Sequence, residues 1–437
     1  MVLRGARSIA SLSITLSALG VTSCSLFLST GGLGDGPPLV DDGGPEVGDA
    51  GTPDVLSDTP SGADVAPNDG AGGDAGPDAA DAGAPPADLV VTGTPAASAI
   101  TVEVAGLFRL GFTLAENWQL TDWFDLAQAS PPNLAPRSDA VDVSNDVLLP
   151  FDFAIGSTYY NPSPNMGATA TLVDQRPARA KIAGSYAWSP TSGTSILVST
   201  SYTIYPTGRV GVSTSFKHAA ASPLVMAALE YLYTQVTDKL AWNVTAPGST
   251  AAFFQRADGP APHSNLLVVS ELGNTNIGSD EPRNRYWDTG PKTLAPGEAF
   301  VANAEMDVAP GELGVQEVQD RAADALDPTV DAVTNGTGAF DPTEGAYAIQ
   351  IATGGQPASF RLKNTRVRHA PAFRLSGWTT STWTWTLNGT LVASSAQPKT
   401  ARGTGFFDSA SQTLVLVYFG DLAQGVGAPE STFTAAP

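Results

Sequence analysis

The sequence predicts an all-β protein: a large β-sandwich, a smaller one after it, and one short helix near residues 315–327. Three observations carry this. From Leu89 onward, short runs rich in Val, Ile, Thr, Tyr and Phe alternate with Gly, Pro, Asn and Asp, the punctuation of strands and turns. Two hairpins can be put in register from residue identities alone. A single segment carries clear helical spacing and divides two sets of strands.

Residues 1–23 are expected to be a removable export signal. Arg4 and Arg7 precede a weakly apolar run from Ile9 to Val21. That run is too short to span a bilayer, which takes roughly 20 apolar residues. It ends in Val21-Thr22-Ser23-Cys24, which resembles the lipobox of bacterial lipoproteins, with Val21 and Ser23 permitted rather than favoured there. The resemblance implies that Cys24 is lipidated, carries several acyl chains and begins the mature protein; one chain alone would anchor only marginally. The alternative is an ordinary signal with a fortuitous cysteine. Cys24 is the only cysteine in 437 residues, so no intramolecular disulfide forms. The expected address is the bacterial cell envelope, at the outer membrane, with the membrane as a partner.

Residues 24–88 are expected to be a disordered stalk. The stretch 31–88 holds 13 acidic residues, no Lys or Arg, and no aromatic residue. Gly, Pro, Ala and Asp dominate it, so ordering the chain would recover little buried surface. Its Gly-Asp clusters lack the period of calcium-binding nonapeptide repeats. About 60 flexible residues span roughly 40 Å, enough to hold a folded head off a membrane. The net charge of −21 falls to −10 from residue 89 onward, where 20 basic residues face 30 acidic ones. An acidic exported chain with no basic block is a poor nucleic-acid binder, and that class is set aside.

The large sandwich is expected over 89–314. In "ILVSTSYTIYPTGRVGVSTSF", Pro206 and Gly208 suit a type I turn with a left-handed glycine. A three-residue loop then sets Ile204 opposite Val210, Tyr202 opposite Val212, and Val198 opposite Phe216, with apolar side chains on one face. "PLVMAALEYLYTQV" (223–236) fits either a buried strand or a helix, and the reading favours strand. In "VQEVQDRAADALDP", Val315, Val318, Ala322 and Ala325 or Leu326 recur at helical spacing and Pro328 stops the run. Residues 315–334 therefore form a helix and connector, and 335–437 a small sandwich. In "STWTWTLNGTLVASS", Asn388-Gly389 marks a tight hairpin that sets Leu387 opposite Thr390 and Trp385 opposite Val392.

"LTDWFDLAQASPPNLA" and "YTIYPTGRVGV" are similar to segments of bacterial secreted proteins built on a galactose-mutarotase-like supersandwich, a fold shared with several polysaccharide lyases and glycoside hydrolases. "GAYAIQIATGGQPASFRLKNTRVRHAPAFRLSGW" resembles the small β-sandwich that often follows it. The resemblance spans most of 100–437. It implies carbohydrate as the ligand class without establishing catalysis.

Three stretches offer binding residues. Trp123 and Asp125 share one face of a strand, and an indole with a nearby carboxylate can form a sugar subsite; in the plainer reading Trp123 is core. "RLKNTRVRHAPAFR" gathers Arg361, Lys363, Arg366, Arg368, His369 and Arg374. Of these Arg366, Arg368 and His369 are candidates for binding the carboxylates of an acidic polysaccharide, against a solvated basic face. "EPRNRYWDTG" offers Arg283, Arg285, Tyr286 and Trp287 in a loop, for ligand contact or for surface packing, and is the preferred single place to look.

A uronate lyase needs a carboxylate neutraliser, a base and an acid. His218, His263 and His369 are the only histidines, and Tyr202, Tyr205, Tyr286 and Tyr347 are possible proton carriers. No spacing unites them, and catalytic residues stay unassigned. The nucleophile-elbow, zinc-protease, Walker and dinucleotide motifs are missing from the sequence. No zinc-type cluster is expected, no cofactor is called for, and calcium at loop carboxylates such as Asp142 and Asp146 lacks support. The leading expectation is a surface lipoprotein whose head binds carbohydrate. The alternatives are a lyase-like polysaccharide enzyme and a structural or adhesive envelope protein.

Overall fold

Alternation of apolar and polar residues is realised as strand after strand, and the fold is all-β; among the described residues the strand pairs are antiparallel except that Ala346–Ile351 runs parallel to Ala372–Ser376. The computed structural model describes residues 85–437 apart from short segments at 137–146, 247, 259–263, 272–275, 280–281, 310–317, 321, 324–329, 364–366 and 423–430. Cys24, His263, Asp142, Asp146 and Arg366 therefore lie outside the described residues, as do residues 1–84, where an export signal and most of a stalk are expected. The described residues belong to one compact unit.

An eight-stranded sheet is the backbone of the larger half. It includes the strands Thr169–Gln175, Arg179–Trp188, Ile196–Ile204, Arg209–His218 and Ala299–Asp307. The predicted hairpin has the expected register: Ile204 pairs Val210, Tyr202 pairs Val212, and Val198 pairs Phe216. Gly208 closes its turn at φ 89, with its N–H donating to the Tyr205 carbonyl at 3.1 Å. Glycine reaches that left-handed conformation without Cβ strain. Ala180, Ile182, Tyr202, Ile204, Val210, Val212 and Phe216 are buried. They face a four-stranded sheet over residues 89–125 and a five-stranded sheet that includes Leu148–Ile155, Thr158–Tyr160, Ala228–Gln235 and Asn284–Asp288. The ambiguous run 223–236 is indeed β, as strands Leu224–Met226 and Ala228–Gln235.

A second core, from Tyr347 to Ala435, lies between two five-stranded sheets. Here one register differs from expectation. Leu387 pairs Thr390, but Trp385 pairs Ala393 rather than Val392, because a bulge intervenes. The extra residue lets Val392 and Ala393, consecutive in sequence, both be fully buried. Asn388 (φ 48) and Gly389 (φ 78) make the tight turn.

Helical residues are described at 318–320 and 322–323. Val318 and Ala322, one turn apart, bury against Ala251, Phe253, Leu267 and Val269 of the eight-stranded sheet. These helical residues thus cover part of the outer sheet surface; Val315, Ala325, Leu326 and Pro328 lie outside the described residues.

The two cores meet along a charged seam. Glu344 accepts from Arg179 Nη1 at 2.6 Å and lies 3.1 Å from Lys181 Nζ and 3.4 Å from Arg374 Nη1. Arg209 donates to the His369 carbonyl at 2.7 Å and pairs with Glu305. Gly211 lets the Glu344 backbone pass, since a Cβ there would sit 2.3 Å from the Glu344 carbonyl carbon. Burial raises the Glu344 carboxyl, and the three cations outweigh it, so its net shift is downward.

Candidate functional site

The five-stranded sheet carries an unusual row. Glu230 lies opposite Asp152 on one neighbouring strand and opposite Asp288 on the other. Strands sit about 4.8 Å apart, and like charges directly opposite one another are destabilising. Glu230 and Asp152 are nevertheless only 7% and 4% exposed. A row that violates a local rule on a regular sheet is where function is expected.

Tyr159 caps this row. It sits on the edge strand Thr158–Tyr160, opposite Ala154, on the same sheet face as Asp152 and Glu230. Burial raises the phenol above its ordinary value of 10, and the charges of Glu230, Asp152 and Asp288 raise it further. The residue is 51% exposed.

Where that edge strand ends, a recess of about 310 Å³ opens, within the range of small-molecule sites. Tyr159, Tyr160 and Trp188 supply rings, and Asn161, Asn165 and Ser189 supply amides and a hydroxyl. None of its lining residues carries a formal charge. Tyr160 stacks on Phe153 at 5.7 Å, and Trp188 meets Phe153 edge-on at 5.2 Å. The core therefore fixes two of the three rings from behind.

The loop under the recess is pinned by the "ENWQ" turn. Asn117 (φ 56) and Trp118 (φ 63) are consecutive left-handed residues, uncommon for non-glycine residues. The Asn117 amide donates to the Ser163 carbonyl and accepts from Met166 N–H, both at 2.8 Å. Asn165 N–H donates to the Ala115 carbonyl at 2.7 Å.

Most of the residues marked in the sequence do other work. Trp123 has no exposed surface and its indole N–H donates to the Val308 carbonyl at 3.0 Å, so it is core and not a sugar platform. Asp125 accepts from Ser264 at 2.8 Å and from Ala127 N–H, which ties down a strand end. Trp287 is equally buried, with its N–H on the Ser249 carbonyl. Arg283 lies 3.6 Å from Asp238. Arg285 donates to Ser279, to its neighbour's carbonyl and to the Val244 carbonyl, and burial lowers its pKa. Tyr286 stacks on Tyr233 with rings 5.4 Å apart and 2° from parallel. The preferred stretch does reach the acidic row, through Asp288.

The described arginines and His369 of the basic segment do not form an open patch; Lys363 is exposed. Arg368 is fully buried and His369 is 4% exposed, with Nδ1 3.1 Å from Asp421. Arg361 pairs with Asp331, and Arg374 with Asp341 and Glu344. The described members of the lyase set do not converge in a groove. His218 is 1% exposed against the Ser222 carbonyl. Tyr202 is buried and bonded to Gln119, and Tyr347 lies in the second core. Tyr205 does meet Arg179, but both are buried at the seam. Among the described residues, no group of three or more His, Cys, Asp or Glu side chains is placed to hold a metal ion.

Sequence reading missed Tyr159, Tyr160 and Trp188. The available signals were the pair of tyrosines running into "NPSPN", and Glu230 as the lone acid inside "PLVMAALEYLYTQV".

No family model matches the chain, and no curated protein matches it either. Solved structures are similar at low identity. A Klebsiella pneumoniae structure described as an aldose 1-epimerase is 10% identical, covering 54% of this chain and 85% of its own, with a TM-score of 0.36. A polysaccharide lyase is 11% identical over 80% of this chain and 46% of its own, with a TM-score of 0.32. A galactose mutarotase-like protein from Lactobacillus casei is 10% identical over 48% of this chain and 99% of its own, with a TM-score of 0.29.

Proposed function

We propose that this chain is an exported lipoprotein, anchored through Cys24, whose β-sandwich head binds carbohydrate in the recess formed by Tyr159, Tyr160 and Trp188. The observation that carries the reading is the composition of that recess: three aromatic residues, two asparagines and serines line about 310 Å³. Rings cover the apolar faces of a sugar while amides and hydroxyls satisfy its hydroxyl groups. The lipobox-like Val21–Cys24 and the acidic stretch after it support a head tethered at a membrane surface.

The binding test is a glycan array probed with the full chain, run beside a depolymerisation screen. Retention on glycans that Tyr159→Ala loses supports the reading, and uniform failure to bind any glycan overturns it in favour of a structural envelope role. One observation favours a catalytic variant: Tyr159 shares a sheet face with Glu230, itself opposite Asp152, and a phenol beside a carboxylate can pass a proton. Shortened chains in the screen, lost in Glu230→Gln, would establish turnover. The anchor is tested separately: Cys24→Ser is expected to move the protein from the membrane to the soluble exported fraction.

A further inference from the structure

We propose that Asn117 is a positioning residue for the glycan site: its side chain holds residues 163–166 in their binding shape before any glycan arrives. The proposal rests on the carbohydrate reading of the recess and deepens it.

Ser163, Pro164, Asn165 and Met166 form one wall of the recess. They lie within residues 161–168, which belong to no strand or helix. A wall of that kind would have to be ordered on binding, at a cost in affinity, unless something orders it beforehand.

Asn117 does not line the recess and is 5% exposed, yet its one amide meets two backbone groups of the wall. Nδ2 donates to the Ser163 carbonyl and Oδ1 accepts from the Met166 N–H, both at 2.8 Å. A carbonyl only accepts and a backbone N–H only donates. The side chain must therefore offer a donor and an acceptor on one plane, which an amide does and an ionised carboxylate cannot. Between these contacts, the Asn165 N–H donates to the Ala115 carbonyl at 2.7 Å.

The turn that carries Asn117 is itself fixed to the eight-stranded sheet. Gln119 accepts from the Tyr202 hydroxyl at 2.9 Å in the core. Trp118 lies against Gly184, where a Cβ would stand 2.8 Å from the Trp118 Cβ. Two consecutive left-handed residues, at φ 56 and 63, persist only where the surroundings over-determine them, and asparagine accepts that conformation more readily than most. The result is a strut running from the core sheet, through the turn, to the wall of the recess.

The test compares the full-length parent with Asn117→Gly, Asn117→Asp and Tyr159→Ala. Glycine keeps the left-handed backbone and removes both side-chain contacts. Aspartate keeps an acceptor for Met166 and loses the donor to Ser163. Amide hydrogen exchange over residues 161–168 should speed up about tenfold in Asn117→Gly and less in Asn117→Asp, with the strand Ile196–Ile204 unchanged. Binding kinetics are read with the printed oligosaccharide that the parent retains most strongly on the glycan array. A protein whose binding-ready form is populated about one-tenth of the time binds about tenfold more weakly. Asn117→Gly should therefore lower the association rate about tenfold and leave dissociation nearly unchanged, because the missing step precedes binding. Tyr159→Ala removes a contact and should instead speed dissociation.

Equal association rates in parent and Asn117→Gly, or unchanged exchange over 161–168, overturns the positioning role and leaves the carbohydrate reading standing. An affinity loss carried by dissociation alone makes Asn117 a ligand contact and overturns it too. Faster exchange throughout the head without a kinetic change marks plain structural support, with the same consequence. If Asn117→Gly fails to fold, Asn117→Asp carries both readouts. An array on which the parent binds nothing overturns both readings together.

Discussion

Trp123 and Tyr159 show what decides the work of an aromatic side chain in a sheet. Trp123 has no exposed surface and its N–H is paired to the Val308 carbonyl, whereas Tyr159 stands half out of an edge strand beside the acidic row. Opposite mutational signatures follow. Trp123→Ala should cost about 3–5 kcal/mol of stability, read as a lower midpoint in urea unfolding, and should weaken binding only through that loss. Tyr159→Ala should leave the midpoint nearly unchanged and weaken glycan binding about tenfold. The sequence shows both as aromatics amid polar residues, and burial is what separates them. Trp123 fits the rule that aromatic residues inside strands are usually core. Tyr159 carried no such mark, because its sheet-face neighbour Glu230 lies 71 positions away and proximity at that distance leaves no local trace.

At the scale of elements, hairpins are the most legible parts. Register follows from turn chemistry and alternation when the loop is short, which is why Val198, Tyr202 and Ile204 fall opposite Phe216, Val212 and Val210. The 384–394 hairpin departs at its bulge, since packing Val392 and Ala393 together beneath Trp385 is a demand of the second core and not of the strand. The recess is illegible for the same reason. It lies between an edge strand, the end of Arg179–Trp188 and a loop held by Asn117, and only the assembled sheets bring these together. Gly211 offers an element-level test of close approach. Gly211→Ala places a Cβ against the Glu344 backbone and should cost about 1–3 kcal/mol in the same unfolding measurement, with glycan affinity retained.

For the whole molecule, the seam between the two cores governs stability and its response to pH. Glu344 and Arg179 have side chains only 6% and 7% exposed. Glu344→Ala strands the cations around it and should cost about 3–5 kcal/mol. The Glu344 carboxyl is held below its ordinary range, so its contribution is present above the unfolded value and fades as pH falls through the lower, folded one. Glu271 works in the other direction. Burial pushes it up from 4.5 to about 7, against a hydrogen bond from Asn303 and with help from Glu305 and Asp341. Between those two values the folded state holds more protons than the unfolded one, so raising the pH lowers stability. The unfolding midpoint should therefore decline from about pH 5 to pH 7, with a flatter profile in Glu271→Gln; an identical decline in that variant would rule out Glu271 as its source.

The central claim is that the Tyr159 recess is a carbohydrate site, and one comparison reaches it most directly. Calorimetric titration of the parent chain and of Tyr159→Ala, with the glycan that the array selects, reads affinity and stoichiometry at once. One saturable site on the parent, about tenfold weaker in the variant at an unchanged unfolding midpoint, is the predicted result. Equal affinity in the two proteins would place the ligand elsewhere and contradict the account.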